Sequence, residues 1–73
     1  ISLLQGTIYD VRGNLMTILV GGVGYQVHVS PYTVGKLIDT KEVTLYIYTH
    51  VREDALQLYG FLELAEKEMF ELL

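Results

Sequence analysis

The sequence has no cysteine, a single proline, and only five lysine and arginine residues among its 73. Without cysteine the chain has neither a disulfide framework nor a thiolate zinc site, which fits a protein of the cytoplasm. The few basic residues are scattered and the formal net charge is −4. This balance excludes a generic basic nucleic-acid binder, which carries Lys and Arg along one face.

Long apolar runs are also missing. The longest are shorter than the roughly 20 residues that span a bilayer, and no basic region followed by an apolar stretch marks a signal peptide. We therefore expect no membrane partner. Hydrophobic residues still make up 51% of the chain, more than so small a domain can bury. We expect the excess to form an interface with another chain or domain.

Alternation of apolar and polar residues with a period of two predicts five strands. They cover residues 3–11, 15–20, 23–30, 43–50 and 55–61. Gly6 within the first strand indicates a bulge or bend. Gly21 and Gly22 predict a two-residue hairpin, and Gly24 after them indicates a close backbone approach. Tyr46 and Tyr48 share one face of the fourth strand, where they either stack nucleic-acid bases or pack in a core or subunit interface.

Two segments depart from the strand pattern. Residues 31–38 begin with proline and predict a short helix or turn. From Leu62 the apolar residues follow a helical period, and the stripe is Leu62, Ala65, Met69, Leu72 and Leu73. We expect the apolar side of this last helix, with Met69, Phe70, Leu72 and Leu73, to pack against another domain.

The order of these elements predicts an all-β fold with a terminal helix. Five short strands with a helical element between the third and fourth are typical of a five-stranded OB-fold barrel. The barrel would occupy residues 1–61, and residues 62–73 would form the helix.

The acids Glu53 and Asp54 follow Arg52 at the tip of the hairpin between the last two predicted strands. The residues themselves leave three interpretations open: a merely solvated turn, a charged element with a function, or a Mg²⁺ site made by adjacent carboxylates. A metal site is the weakest of these, because the chain has only this one short acidic cluster.

No catalytic residue, metal site or cofactor site is predicted elsewhere. The glycine-rich segment 21–24 lacks the Lys-Ser/Thr ending of a phosphate loop and precedes a strand. His28 and His50 lie on different strands without an obvious third zinc ligand. No strand–Ser–helix elbow is present.

One combination of segments is more specific. It joins "VGGVGYQVHVS" at 20–30 and "THVREDALQLYGF" at 49–61 to a following helix that contains "E..MFELL". Together they resemble the N-terminal domain of the RuvA family, the Holliday-junction-binding subunits of the bacterial branch-migration complex. The resemblance runs over nearly the whole chain. It departs at Gln5, where family members often carry a basic residue that could attract phosphate.

The resemblance implies a non-catalytic subunit of an ATP-dependent Holliday junction helicase complex, active in DNA recombination, DNA repair and the SOS response to damage. Its partners would be four-way junction DNA, further copies in a homotetramer, and a RuvB-type motor ATPase bound through an absent C-terminal domain. Residues 62–73 would lead into an absent helix-hairpin-helix domain. Glu53 and Asp54 would form the family's acidic pin, with Arg52 as a candidate phosphate contact. The alternatives are a general OB-fold oligonucleotide binder and a protein-interaction module.

Overall fold

A computed structural model describes all of residues 1–73 and contains five strands and two helices. The elements are β1 (Leu3–Arg12), β2 (Leu15–Val20), β3 (Val23–His28), α1 (Pro31–Lys36), β4 (Glu42–Val51), β5 (Leu56–Phe61) and α2 (Leu64–Glu71). The predicted order of elements is confirmed. Neither helix is long and apolar enough to cross a membrane.

The strands close into a barrel in the order β1-β2-β3-β5-β4. All neighbouring strands are antiparallel except β3 and β5, which pair in parallel at Val27–Leu58 and His28–Tyr59. Helix α1 lies in the connection from β3 to β4. This is the architecture of the OB-fold, and it confirms the predicted fold class.

The barrel core is built from the apolar positions of the alternating segments. Nine hydrophobic side chains are at most 6% exposed: Leu4, Met16, Ile18, Val27, Val29, Val43, Leu45, Ile47 and Leu58. Each strand contributes at least one of them, so the core lies along the barrel axis. The third strand was expected to reach Ser30, but Ser30 instead caps α1. Its hydroxyl accepts a hydrogen bond from the Thr33 backbone N–H at 3.1 Å.

Strand β1 closes the barrel, because it pairs with both β4 and β2. Residues from Leu3 to Thr7 pair with β4, and residues from Thr7 to Arg12 pair with β2. Gly6 lies at this change of partner, where a Cβ atom would press on the backbone carbonyl of Leu19. The bulge of β1 falls three residues later, between Ile8 and Asp10. Gly6 thus marks a crowded change of partner, and the bulge is a separate feature.

The glycines of the second turn behave as the sequence predicts, with one exception. Gly21 and Gly22 have φ values of 57° and 84° and connect β2 to β3 as a two-residue hairpin. The close approach predicted at Gly24 is wrong, because an added Cβ would reach only ordinary contact with Thr17 at 3.4 Å. Close approaches occur instead at Gly6, whose neighbour is the backbone of Leu19, and at Gly60, where an added Cβ would lie 2.6 Å from Val27 Cγ1.

Helix α2 rests on the outer face of β4 and β5. The predicted stripe largely faces away from the barrel, with Met69 71% and Leu72 85% exposed. The expectation that Phe70 packs against another domain together with Met69 and Leu72 is wrong. The Phe70 ring packs on the barrel against Tyr48, Tyr59 and Phe61.

Candidate nucleic-acid interface

The hairpin of β4 and β5 extends beyond the barrel. On one side the last hydrogen bond between β4 and the segment before β1 runs from the Thr49 hydroxyl to the Ile1 carbonyl and is 3.1 Å long. On the other side β5 pairs with β3 only from Leu58 onward. The pairs His50–Gln57 and Val51–Leu56 therefore have no third strand beside them. We call this two-stranded segment, residues 50–57, the projecting ribbon.

A tight turn closes the projecting ribbon and carries the predicted acidic residues. The Arg52 backbone N–H donates a hydrogen bond of 2.8 Å to the Ala55 carbonyl, which leaves Glu53 and Asp54 at the two turn positions. Every residue from Val51 to Leu56 is exposed to solvent. The structure thus places Arg52, Glu53 and Asp54 together at one tip, as the sequence predicts.

Neither carboxylate at the tip forms a salt bridge. The salt bridges of the chain lie elsewhere, between Arg12 and Asp10 at 3.5 Å and between Lys67 and Glu71 at 4.0 Å. No side-chain hydrogen bond involves Glu53 or Asp54. With two carboxylates and the single guanidinium of Arg52, the tip therefore presents a net negative charge to whatever approaches the end of the projecting ribbon.

Below the tip, the outer face of the β4–β5 hairpin carries a set of rings that we call the aromatic cluster. Its members are His28, Tyr48, His50, Tyr59, Phe61 and Phe70. Tyr48 and Tyr59 lie directly opposite each other across the strands. The Phe70 ring of α2 lies over both, with centroid distances of 5.6 Å to Tyr48 and 5.2 Å to Tyr59. The Tyr59 hydroxyl also donates a 3.0 Å hydrogen bond to Gln57 Oε1.

Tyr46 and Tyr48 were expected either to stack nucleic-acid bases or to pack in a core or interface, and the aromatic cluster decides this for Tyr48. Tyr48 is half-buried under α2, so its ring packs within the chain and is not a free platform for bases. Tyr46 lies between Leu3 of β1 and Phe61 of β5 in the sheet. Sequence reasoning singled out Tyr48 but missed Tyr59 and Phe70 as its partners. The available signal was the strand register, since a short turn at 53–54 places residues 48 and 59 opposite each other.

The two histidines and Gln5 do not lie together at one site. His28 and His50 lie at different ends of the aromatic cluster, the first stacked on Tyr59 at 5.1 Å and the second beside Tyr48 at 6.3 Å. No group of three or more His, Asp or Glu side chains is placed to hold a metal ion. Gln5 is exposed on β1 opposite Thr44 of β4, away from the acidic tip.

The chain has clear relatives. Residues 1–60 match the family model described as the RuvA N-terminal domain. The chain is 50% identical over its whole length to the Holliday junction branch migration complex subunit RuvA of Solibacter usitatus, and covers 38% of that protein. It is 44% identical over 96% of its length to the RuvA subunit of Bdellovibrio bacteriovorus, and covers 37% of that protein. A similar match, 46% over 96% of the chain, is found in Rhizobium meliloti.

These matches concern only one part of each relative. The chain spans between 34% and 38% of the length of the curated relatives that it matches. The similarity to these relatives therefore concerns a single domain of each of them.

Proposed function

The chain belongs to the RuvA N-terminal domain family, and from this membership we propose that it is the oligomerisation and acidic-pin domain of a Holliday junction-binding subunit. The parent protein would act with a RuvB-type motor ATPase in branch migration during recombination and repair. The domain itself would contribute no catalysis. Its place of action would be the cytoplasm, where chromosomal DNA of a bacterium lies.

The observation that carries this proposal is the pair of exposed carboxylates without salt-bridge partners, Glu53 and Asp54, at the end of the projecting ribbon. Phosphates carry the same sign of charge. Two unit charges about 4 Å apart repel by about 1 kcal/mol in bulk water, and by more beside a protein surface of lower dielectric constant. A tip of this kind cannot provide affinity for DNA. It can disfavour one DNA shape relative to another.

The selected shape would be an open four-way junction. In a tetramer with four-fold symmetry, four tips converge near the axis, and the strands exchange around a central hole in the junction. Continuous duplex across the centre would place its phosphates against eight carboxylates. Four splayed strands pass around the tips instead, so the junction is bound in preference to the duplex.

Binding energy would come from outside the tip. We propose that α2 leads into a helix-hairpin-helix domain whose contacts to the DNA backbone supply affinity, since phosphate contacts position a protein on DNA. The outward stripe of α2, with Met69 and Leu72 exposed, suits packing against such a domain. A further region of the parent would bind the motor. Arg52 is exposed and unpaired beside the acids, and we propose that it holds a phosphate of a strand leaving the crossover.

The acidic-pin role is tested by neutralising the tip. In the full-length protein, Glu53→Gln with Asp54→Asn should tighten binding to plain duplex about 3- to 30-fold at low salt, because like-charge repulsion is removed. Junction binding should change less, so the preference for the junction falls. Gel-shift titrations with a four-way junction and a duplex of equal length measure both affinities.

A matched control separates the local effect from the change in net charge. Asp39→Asn with Glu68→Gln also removes two exposed acids, but at places distant in the sequence from the projecting ribbon. It should leave the preference for the junction unchanged. Duplex affinity that does not respond to the tip variant, or that responds equally to the control, would overturn the proposed role.

The same titrations distinguish the other candidate functions. A general OB-fold oligonucleotide binder would favour single strands, and a protein-interaction barrel would bind no DNA. The cover that Phe70 places on Tyr48 and Tyr59 disfavours the first of these, because base stacking needs an open aromatic face.

A further inference from the structure

The projecting ribbon carries two apolar side chains that nothing covers. Val51 of β4 and Leu56 of β5 lie directly opposite each other and are 73% and 60% exposed. We call them the apolar pair. They form the last rung of the ribbon before the turn that holds Glu53 and Asp54.

The apolar pair continues the core side of the hairpin into solvent. Successive strand residues point to opposite faces, so Val51 lies on the same face as Ile47, and Leu56 on the same face as Leu58. Ile47 and Leu58 are 1% and 6% exposed inside the barrel. The pair therefore faces away from the side of the sheet that holds Tyr48, His50 and Tyr59. No helix or neighbouring strand of the chain reaches it.

The charges beside the apolar pair limit what can cover it. Phosphate backbone over the pair is disfavoured, because the turn beside it carries two carboxylates against the single guanidinium of Arg52 and is therefore net negative. A second copy of the same tip is repelled for the same reason, since it brings two more carboxylates to the same place. An uncharged, flat and apolar surface meets no such penalty. The face of a nucleobase is such a surface, and apolar side chains pack against bases that have lost their stacking partners.

We propose that the apolar pair binds unpaired bases at the crossover of a four-way junction. The proposal deepens the proposed function and rests on it, because it assumes that the projecting ribbon enters the junction centre. The carboxylates repel the phosphates, and the faces of the unpaired bases pack against Val51 and Leu56. The ribbon would then do two things at once: exclude backbone from the axis and stabilise the open form of the base pairs beside it.

The test uses the full-length protein and a four-way junction with 2-aminopurine at the base pair next to the crossover. This base fluoresces strongly when it is unstacked. Val51→Thr with Leu56→Gln keeps both side chains close to their size but makes them polar. Bound to this variant, the probe should lose about half or more of the fluorescence gain seen with the wild type, as the bases re-pair. Junction affinity should fall about 3- to 30-fold.

Two further variants test whether the effect comes from apolar surface at the tip. Val23→Thr with Ile38→Gln makes the same chemical changes at side chains that are 53% and 78% exposed elsewhere, and should alter neither quantity. Leu56→Phe enlarges the apolar surface at the tip and should raise the fluorescence of the probe above the wild-type value. The dependence of affinity on salt should be the same for all these proteins, because no phosphate contact has been changed.

Several results would overturn the proposal. Unchanged probe fluorescence with the polar variant would show that the pair does not touch bases. A changed salt dependence would mean that the ribbon contacts phosphate at this point. Loss of the oligomer in sedimentation equilibrium would mean that a second copy covers the pair. The acidic-pin role could survive each of these results, since it is measured separately through Glu53 and Asp54.

Discussion

At the scale of single residues, Gly60 shows how tightly the barrel closes. It lies on β5 with its missing side chain directed at the core, where Val27 and Leu45 are fully buried. A Cβ atom there would lie 2.6 Å from Val27 Cγ1 and 3.0 Å from Leu45 Cδ1. Both neighbours are enclosed and have little room to move, so glycine is required by space at this position and not by backbone conformation.

Gly60→Ala should therefore destabilise the domain by about 1–3 kcal/mol, the usual range for overpacking a filled core. Urea denaturation followed by circular dichroism measures the change. The control is Gly35→Ala in α1, where an added Cβ meets nothing within 4 Å. That variant should be more stable than the wild type by about 0.5–1 kcal/mol, because alanine loses less freedom in a helix. Equal stability of the two variants would contradict this account of Gly60.

At the residue scale, the exposure of some side chains can be predicted from the sequence and that of others cannot. Exposure of Glu53 and Asp54 follows from local pattern, since charged residues between two strands lie in a turn. The exposure of Val51 and Leu56 does not follow, because alternation assigns both to the core side of their strands. Whether the core reaches them depends on where β1 and β3 end, and those strands are distant in the sequence. The apolar pair was accordingly absent from the residues predicted to matter.

At the scale of elements, α2 contacts the barrel through one aromatic ring, that of Phe70, and Glu66 and Lys67 of the helix are half-buried beside it. Phe70 lies within 5.2 Å to 5.6 Å of the ring centroids of Tyr48, Tyr59 and Phe61. No residue of α2 is fully buried. An isolated helix of eight residues is not stable in water, so the helix depends on this packing.

Phe70→Ala should loosen α2 without unfolding the barrel. Each aromatic contact contributes about 0.5–1.5 kcal/mol beyond area burial, so backbone amides of α2 should exchange with solvent about tenfold faster or more. Hydrogen exchange followed by NMR reports each amide separately. Met69→Ala, at a side chain that is 71% exposed, serves as the control and should change the exchange rates by no more than about twofold. Unaltered exchange in the Phe70 variant would show that other contacts hold the helix.

The elements themselves were largely predictable, and their arrangement was less so. Segment 15–20 is a strand with the predicted bounds, because alternation and its flanking turns are local signals. The helical period of the last segment is also local, but it cannot tell which side meets the barrel. Phe70 lies one position away from Met69 on the helix, and only the position of Tyr48 and Tyr59 decides that it packs inward. The bulge beyond Ile8 likewise depends on a partner strand.

At the scale of the whole molecule, the charge of the domain conflicts with tight DNA binding. The net charge is −4, the exposed tip is acidic, and no basic stripe crosses the surface. Affinity for DNA depends largely on phosphate neutralisation by Lys and Arg. This charge agrees with the proposed role, in which the domain selects a DNA shape and another part of the parent supplies the attraction.

The isolated 73-residue chain should accordingly bind four-way junctions weakly or undetectably, with a Kd above about 100 μM at physiological salt. Fluorescence anisotropy of a labelled junction measures this, with the full-length protein as the positive control. Binding should not strengthen much when salt is lowered, because few counterions are released. Tight binding by this chain alone would contradict the division of roles between the barrel and the rest of the parent.

The pairing of the strands has a consequence for how the chain folds. Strands β1, β2 and β3 pair through short turns, and so do β4 and β5, but the contacts of β1 with β4 and of β3 with β5 join distant parts of the chain. Closing such long loops is slow, so we expect a three-stranded meander and a separate hairpin to form first and to dock late. Eight of the nine core residues are divided between these two units, and Val29 lies in the connection from β3 to α1. Neither unit has a complete core alone, and the molecule should therefore fold in a single cooperative step whose rate is set by docking.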